Sequence, residues 1–156
     1  MTGGTLDIRN MTRRSAPVFP FARARKAVLP RFDVSLAFVT PSEALALNKA
    51  LRDKSYTPNV LSYRTGDKDD KSGEIIICLA EAQKQAPAFG LTYSQFVGFL
   101  FIHGLLHLEG TRHGPTMERT ERKLFERVAG IPYPKNETPH RNGHRHRDPA
   151  GQDRRR

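Results

Sequence analysis

A nearly continuous apolar run at residues 73–79 limits the folds that are open to this chain. The run has the sequence Gly-Glu-Ile-Ile-Ile-Cys-Leu. A strand covered on one face alternates apolar and polar residues, whereas a strand covered on both faces is apolar at successive positions. The run therefore predicts a strand buried on both faces, in a sheet with helices packed on it.

Periodic patterns elsewhere predict the element order β-α-β-α-β-β-α-α-α. The start of the second helix is the clearest of these signals, because Thr40 can cap it, Pro41 suits its first turn and Glu43 completes a capping box. The order predicts an α+β domain in which about five helices pack on a small, mixed, four-stranded sheet. The predicted strands are 5–9, 33–39, 60–63 and 73–79, and the predicted helices are 18–29, 41–53, 80–88, 92–109 and 115–128.

The end of the chain differs in composition from the rest. Residues 134–156 are rich in proline, histidine and arginine and contain almost no apolar side chains. Such a segment cannot bury enough surface to offset the entropy lost on ordering. We therefore predict a single domain over residues 1–133, followed by a disordered basic tail over residues 134–156.

The formal net charge of +10 is concentrated at the two ends of the chain. Residues 1–31 carry +6 and residues 131–156 carry +4, whereas residues 32–130 are neutral. Basic segments attract polyanions such as RNA because each neutralised phosphate releases counterions. Solubility alone, or an arginine-rich genome, would explain the same charge.

The composition argues against several other protein classes. No apolar run approaches the ~20 residues that a membrane helix needs, and the first ten residues lack the apolar block of a secretory signal. Cys78 is the single cysteine, so neither an internal disulfide nor a cysteine-rich zinc site can form. We therefore expect a soluble, cytoplasmic protein.

The strongest functional signal is the spacing of His103, His107, Gly110 and His113, a His-x-x-x-His-x-x-Gly-x-x-His pattern. Residues four apart on a helix share one face, so the first two imidazoles project together. Gly110 can end the helix in the left-handed conformation, which allows the chain to bring His113 back to the same point. Three neutral imidazoles with a fourth position open to water form the catalytic type of zinc site. An ion there lowers the pKa of bound water and polarises a carbonyl or phosphoryl oxygen.

Other interpretations of these residues stay open. The histidines could be unrelated, or they could hold a structural metal, although closed zinc sites normally use four protein ligands and only Cys78 could add a thiolate. Metzincin proteases share the spacing but carry a general-base glutamate directly after the first histidine. That position is Gly104 here, which argues against peptide hydrolysis, and Glu109 points away from the ligand face. The mixed charges on the last helix, Glu121 among them, are interpreted as its exposed face.

The histidine block resembles the signature of the bacterial YbeY family, His-Gly-x-Leu-His-Leu-x-Gly-Tyr-Asp-His. Residues 103–113 have the sequence HGLLHLEGTRH. Three upstream segments resemble further family blocks in the family's order: NKALR at 48–52, PNVLSY at 58–63 and GEIII at 73–77. The matched blocks span about two-fifths of the chain.

The resemblance implies a metal-dependent, single-strand-specific endoribonuclease that acts in ribosomal RNA processing and ribosome quality control. Maturation of the 3′ end of the small-subunit RNA is the notable step. It implies one divalent ion on His103, His107 and His113, which also form the catalytic set together with Arg52. Zn²⁺ is the first choice of ion, although three imidazoles also suit nickel, copper or cobalt. The expected partners are RNA and the small ribosomal subunit or its proteins, with neither DNA nor a membrane involved.

Arg52 matches a family arginine that takes part in activity or RNA binding. Its guanidinium suits that role because its fork of donors matches phosphate oxygens. A surface arginine paired with a nearby carboxylate is the alternative.

The chain departs from the family pattern at three positions. Arg112 replaces an aspartate, Thr111 replaces a tyrosine, and Asn59 stands where the family often has aspartate. Arg112 either adds an RNA phosphate contact beside the metal or removes a residue that would orient a metal ligand. Two further functions stay open: an RNA-binding or ribosome-binding assembly factor with a structural metal, and a metal-dependent hydrolase of a small substrate.

Overall fold

The computed structural model describes residues 3–67 and 69–134, which form four strands and five α-helices. This confirms the predicted α+β class. The proposed tail lies outside the described residues except for Pro134. The strands are β1 (Leu6–Asn10), β2 (Asp33–Val39), β3 (Val60–Arg64) and β4 (Ser72–Cys78). The helices are α1 (Phe21–Val28), α2 (Pro41–Arg52), α3 (Leu79–Gln85), α4 (Tyr93–Glu109) and α5 (Pro115–Ala129), with a short 3-10 helix (Ala86–Phe89) between α3 and α4.

The sheet is mixed, with strand order β1-β2-β4-β3. β1, β2 and β4 are parallel, and β3 is antiparallel to β4. The central position of β4 confirms the prediction from its apolar run, because Ile75 and Ile77 are buried in one core and Ile76 is buried in a second. The strand ends at Cys78 rather than at the predicted Leu79, which is instead the first residue of α3.

Helices cover the two faces of the sheet unequally. The Ile75 face carries the larger core, which contains apolar residues of α1, α4 and α5. The Ile76 face carries a smaller core, to which α2 contributes Ala44 and Leu47. The predicted capping box of α2 is present, with Thr40 and Glu43 each accepting a hydrogen bond from the other's backbone N–H.

α4 is the central helix of the larger core, with most of its residues buried. A capping box of Thr92 and Gln95 begins it, and Gly110 ends it in the left-handed conformation at φ 105°. Gly104 allows α4 to lie close to the sheet, since a Cβ there would stand 3.1 Å from Ile75. This close approach positions the two helical histidines relative to the sheet.

Two predicted helix boundaries are wrong. The helix predicted at 80–88 is interrupted after Gln85, because Pro87 has no N–H to donate and the chain continues as a 3-10 turn. The helix predicted from residue 18 begins at Phe21. The preceding Val18 instead donates its N–H to the Ser94 hydroxyl at 2.9 Å.

No single helix in the described ranges is long and apolar enough to cross a membrane. The segments Leu79–Phe89 and Tyr93–Glu109 are long and apolar enough only when they are taken together, and the chain bends by 102° between them.

Candidate metal centre

α4 and the turn after it bring the three predicted histidines together. His103 and His107 lie one turn apart on α4, and their Nε2 atoms are 3.1 Å apart. After Gly110 the chain turns, with the Thr111 N–H bonded to the carbonyl of Leu106 at 3.0 Å. The turn places the His113 ring centroid 4.5 Å from that of His107. One nitrogen from each imidazole lies within 4.8 Å of the others.

The chemistry and spacing of these donors fit a divalent metal ion. Two nitrogens that share a tetrahedral zinc ion at about 2.0–2.1 Å lie about 3.3 Å apart, close to the observed 3.1 Å between His103 and His107. In the described part of the chain, the cluster able to hold an ion consists of the three histidines alone. Cys78, considered above as a further ligand, is buried in the smaller core and is not part of this cluster.

Glu121 is the residue that sequence reasoning placed wrongly. Instead of lying on an exposed face of α5, it is 6% exposed, and its carboxylate accepts a hydrogen bond from Nδ1 of His103. The reason is its place on the buried stripe of the helix, one turn from Met117 and one turn from Phe125. That spacing is the signal that could have identified it.

The Glu121 contact determines how His103 can act. A proton on Nδ1 leaves Nε2 with a free lone pair, and Nε2 is the atom that faces His107. A carboxylate behind a metal-binding imidazole fixes its tautomer and orientation and raises its basicity as a ligand. Glu121 therefore belongs to the site although it lies outside the cluster of possible ligands.

His107 is half-buried, and its surroundings favour the neutral imidazole. Burial, together with the nearby His103, His113 and Arg52, lowers its pKa from 6.5 to about 3, and burial is the largest of these causes. A neutral imidazole has the lone pair that a metal requires, so no proton has to leave His107 before a metal binds at neutral pH.

Arg52, the last residue of α2, lies near enough for its charge to lower the pKa of His107. Its Nη1 donates to Oδ1 of Asn48 at 3.2 Å and to the Tyr56 hydroxyl at 3.4 Å. Asn48 is fully buried and donates its own amide N–H to the Tyr56 carbonyl at 2.9 Å. Both of these contacts of the Arg52 guanidinium are made to neutral polar groups.

The other residues singled out from the sequence have different surroundings. Arg112 is exposed in the turn between Gly110 and His113. Glu109 is exposed and accepts a hydrogen bond from the Thr111 hydroxyl at 3.4 Å. Asn59 is buried and donates to Gln85 of α3 at 2.8 Å, so it stabilises the packing of a loop on a helix.

Comparison with known proteins identifies the family. Residues 5–131 match the family model described as endoribonuclease YbeY. The chain belongs to the YbeY family. Family membership makes it a nuclease of the hydrolase class, and it does not favour either the assembly factor without catalysis or the small-substrate hydrolase.

Individual relatives agree with this assignment. An endoribonuclease YbeY from Macrococcus caseolyticus is 34% identical over 116 residues, which cover 69% of this chain and 74% of the relative. An endoribonuclease YbeY from Bdellovibrio bacteriovorus is 35% identical over 100 residues, 64% of this chain and 65% of the relative. The fold is similar to the solution structure of TM1509 from Thermotoga maritima, with a TM-score of 0.61, 23% identity and coverage of 81% of this chain and 90% of that chain.

Proposed function

We propose that this chain is a metal-dependent endoribonuclease that cleaves single-stranded RNA at the His103, His107 and His113 cluster, with Zn²⁺ as the ion. The convergence of three imidazole nitrogens within 4.8 Å is the observation that carries the proposal. The substrate that we infer is ribosomal RNA, notably near the 3′ end of the small-subunit RNA, and the role extends to ribosome quality control in the cytoplasm. The family signature and the basic ends of the chain support an RNA substrate.

The three histidines would hold the metal, with Glu121 orienting His103. A divalent ion bound there supplies Lewis acidity to a phosphoryl oxygen and to water. Glu121 also places one negative charge beside the imidazoles, which offsets part of the positive charge gathered at the site.

Arg52 would bind the phosphate next to the bond that is cleaved. Its guanidinium remains charged at all relevant pH values and presents paired donors to phosphate oxygens. Negative charge builds up on those oxygens as the reaction proceeds, and a donor already held in position stabilises it without reorganisation. Arg112 would add a second contact to the RNA backbone from the turn before His113.

Replacement of His107 by alanine tests the proposal. Loss of a partner behind a metal ligand already costs about 10- to 100-fold, so loss of a ligand should lower cleavage of single-stranded RNA by more than about 100-fold. Elemental analysis should show less bound metal, and circular dichroism should show an unchanged fold. His140→Ala is the matched control, since it removes a histidine of the C-terminal segment. Cleavage that persists in His107→Ala, and that chelators do not inhibit, would refute the assignment.

A further inference from the structure

Tyr56 presents an aromatic ring to solvent in the loop between α2 and β3. It is 42% exposed, and it is the aromatic residue among the strongly exposed large apolar side chains of the described chain. Exposure of an aromatic ring costs free energy because apolar area stays in water. An exposed ring beside a site for a charged polymer therefore suggests a ligand that covers it.

The position of the ring is fixed on two sides. The buried amide of Asn48 donates to the Tyr56 carbonyl at 2.9 Å and anchors the loop to α2. The Tyr56 hydroxyl accepts from Arg52 at 3.4 Å, which places the phenol beside the guanidinium. The ring therefore lies directly beside the guanidinium of Arg52, the side chain proposed above to bind the phosphate next to the cleaved bond.

We propose that the Tyr56 ring is a stacking platform for one unpaired base of the RNA, next to the phosphate that Arg52 binds. This inference rests on the proposed ribonuclease function. Aromatic side chains stack on bases of single-stranded nucleic acids with little dependence on sequence, because every base has a π-face. A base inside a duplex has both faces covered by its neighbours, so the platform favours single-stranded RNA.

A competing role for Tyr56 is to hold Arg52 through its hydroxyl. The two roles depend on different parts of the side chain. Stacking needs the ring and survives in Tyr56→Phe, whereas positioning of Arg52 needs the oxygen and is lost in that variant. Tyr56→Ala removes both, and Tyr56→Leu keeps apolar bulk without a flat ring if the alanine variant is unstable.

The experiment measures single-turnover cleavage of a short single-stranded RNA by metal-loaded protein and its half-saturating enzyme concentration. Tyr56→Ala and Tyr56→Leu should raise that concentration by about 10-fold or more, given the stacking contribution of one base. Tyr56→Phe should stay within about threefold of the wild type. Leu51→Ala, which alters an exposed apolar residue of α2, is the matched control and should behave like the wild type.

A series of substrates, each with one abasic nucleotide, identifies the stacked base. For the wild type, an abasic nucleotide at one position beside the cleaved bond should raise the half-saturating enzyme concentration. For Tyr56→Ala, the same abasic nucleotide should raise that concentration little further. This coupling is a double-mutant cycle between ring and base.

Three outcomes would overturn the inference: equal weakening by phenylalanine and alanine, no weakening by either, or additive effects at every abasic position. A wild-type protein that cleaves RNA with any of these outcomes retains the proposed function and loses only the stacking role. A wild-type protein that does not cleave RNA refutes the proposed function itself.

Discussion

At the scale of single residues, the buried carboxylate of Glu121 is the most informative part of the site. A buried ionised carboxylate is costly unless it is paired, and its partner here is Nδ1 of His103. The same contact leaves Nε2 of His103, the atom that faces His107, with a free lone pair. The role of Glu121 in metal binding can be tested by measuring the metal affinity of a variant.

Replacement of Glu121 by glutamine should weaken metal binding by about 10-fold or more, because an uncharged amide is a poorer acceptor behind a metal-bound imidazole. Competition with a chromophoric chelator gives the affinity. Glu118→Gln is the matched control, since it removes the same charge from an exposed position on the same helix. Equal metal affinities for the Glu121 and Glu118 variants would contradict this role.

The sequence predicts the three histidine ligands, but it does not predict that Glu121 orients one of them. The histidines follow from spacing, because a separation of four on a helix and a left-handed glycine have few geometric outcomes. Glu121 sits among charged neighbours on α5, and charge suggested exposure. Glu121 is nevertheless four residues from both Met117 and Phe125, which are buried. Burial on a helix depends on the face on which a residue lies, even when that residue is charged.

At the scale of elements, the site depends on how closely α4 approaches β4. Gly104 follows directly after His103 and faces Ile75, so the helix rests against the sheet where a larger residue would hold it away. The position that carries a general-base glutamate in metzincins is therefore a packing position in this fold.

Gly104→Glu should destabilise the protein by at least about 3 kcal/mol, because it places an unpaired carboxylate against an apolar sheet. Gly104→Ala separates size from charge. Its Cβ would stand 3.1 Å from Ile75, and the gain in helix propensity of about 1 kcal/mol opposes that crowding. We expect the alanine variant to stay within about 1 kcal/mol of the wild type. Urea unfolding measures both, and equal midpoints for the two variants would be inconsistent with a packing role.

Element boundaries were predictable where the chain carries a local signal. The capping box at Thr40 and the left-handed Gly110 have such signals, and both lie where they were predicted. Leu79 carries none, because an apolar residue suits a buried strand and a buried helix equally. The interruption at Pro87 did have a local signal, because a proline inside a helix removes a backbone N–H and breaks or kinks the helix, and the predicted range 80–88 ran through it.

At the scale of the whole molecule, the net positive charge lies at the two ends of the chain. Residues 135–156 hold seven basic and three acidic side chains. The last residue of α5 is Ala129, and the described core extends to Tyr133. The basic C-terminal segment thus follows the core in sequence.

Deletion of residues 135–156 should weaken binding of single-stranded RNA and reduce the slope of log affinity against log salt by at least about 0.7, the value for one phosphate contact on a single strand. Thermal unfolding should stay unchanged, because no residue of the described core is removed. Fluorescence anisotropy at several salt concentrations gives the slope. An identical slope for the full-length and shortened chains would show that the segment makes no phosphate contact.

The order of the elements along the chain has a consequence for biosynthesis. His103, His107 and His113 are all translated before α5, which brings the carboxylate that orients His103. A polypeptide that ends before α5 carries the three imidazoles without the carboxylate that orients His103, so we expect it to bind a metal ion more weakly than the full chain does.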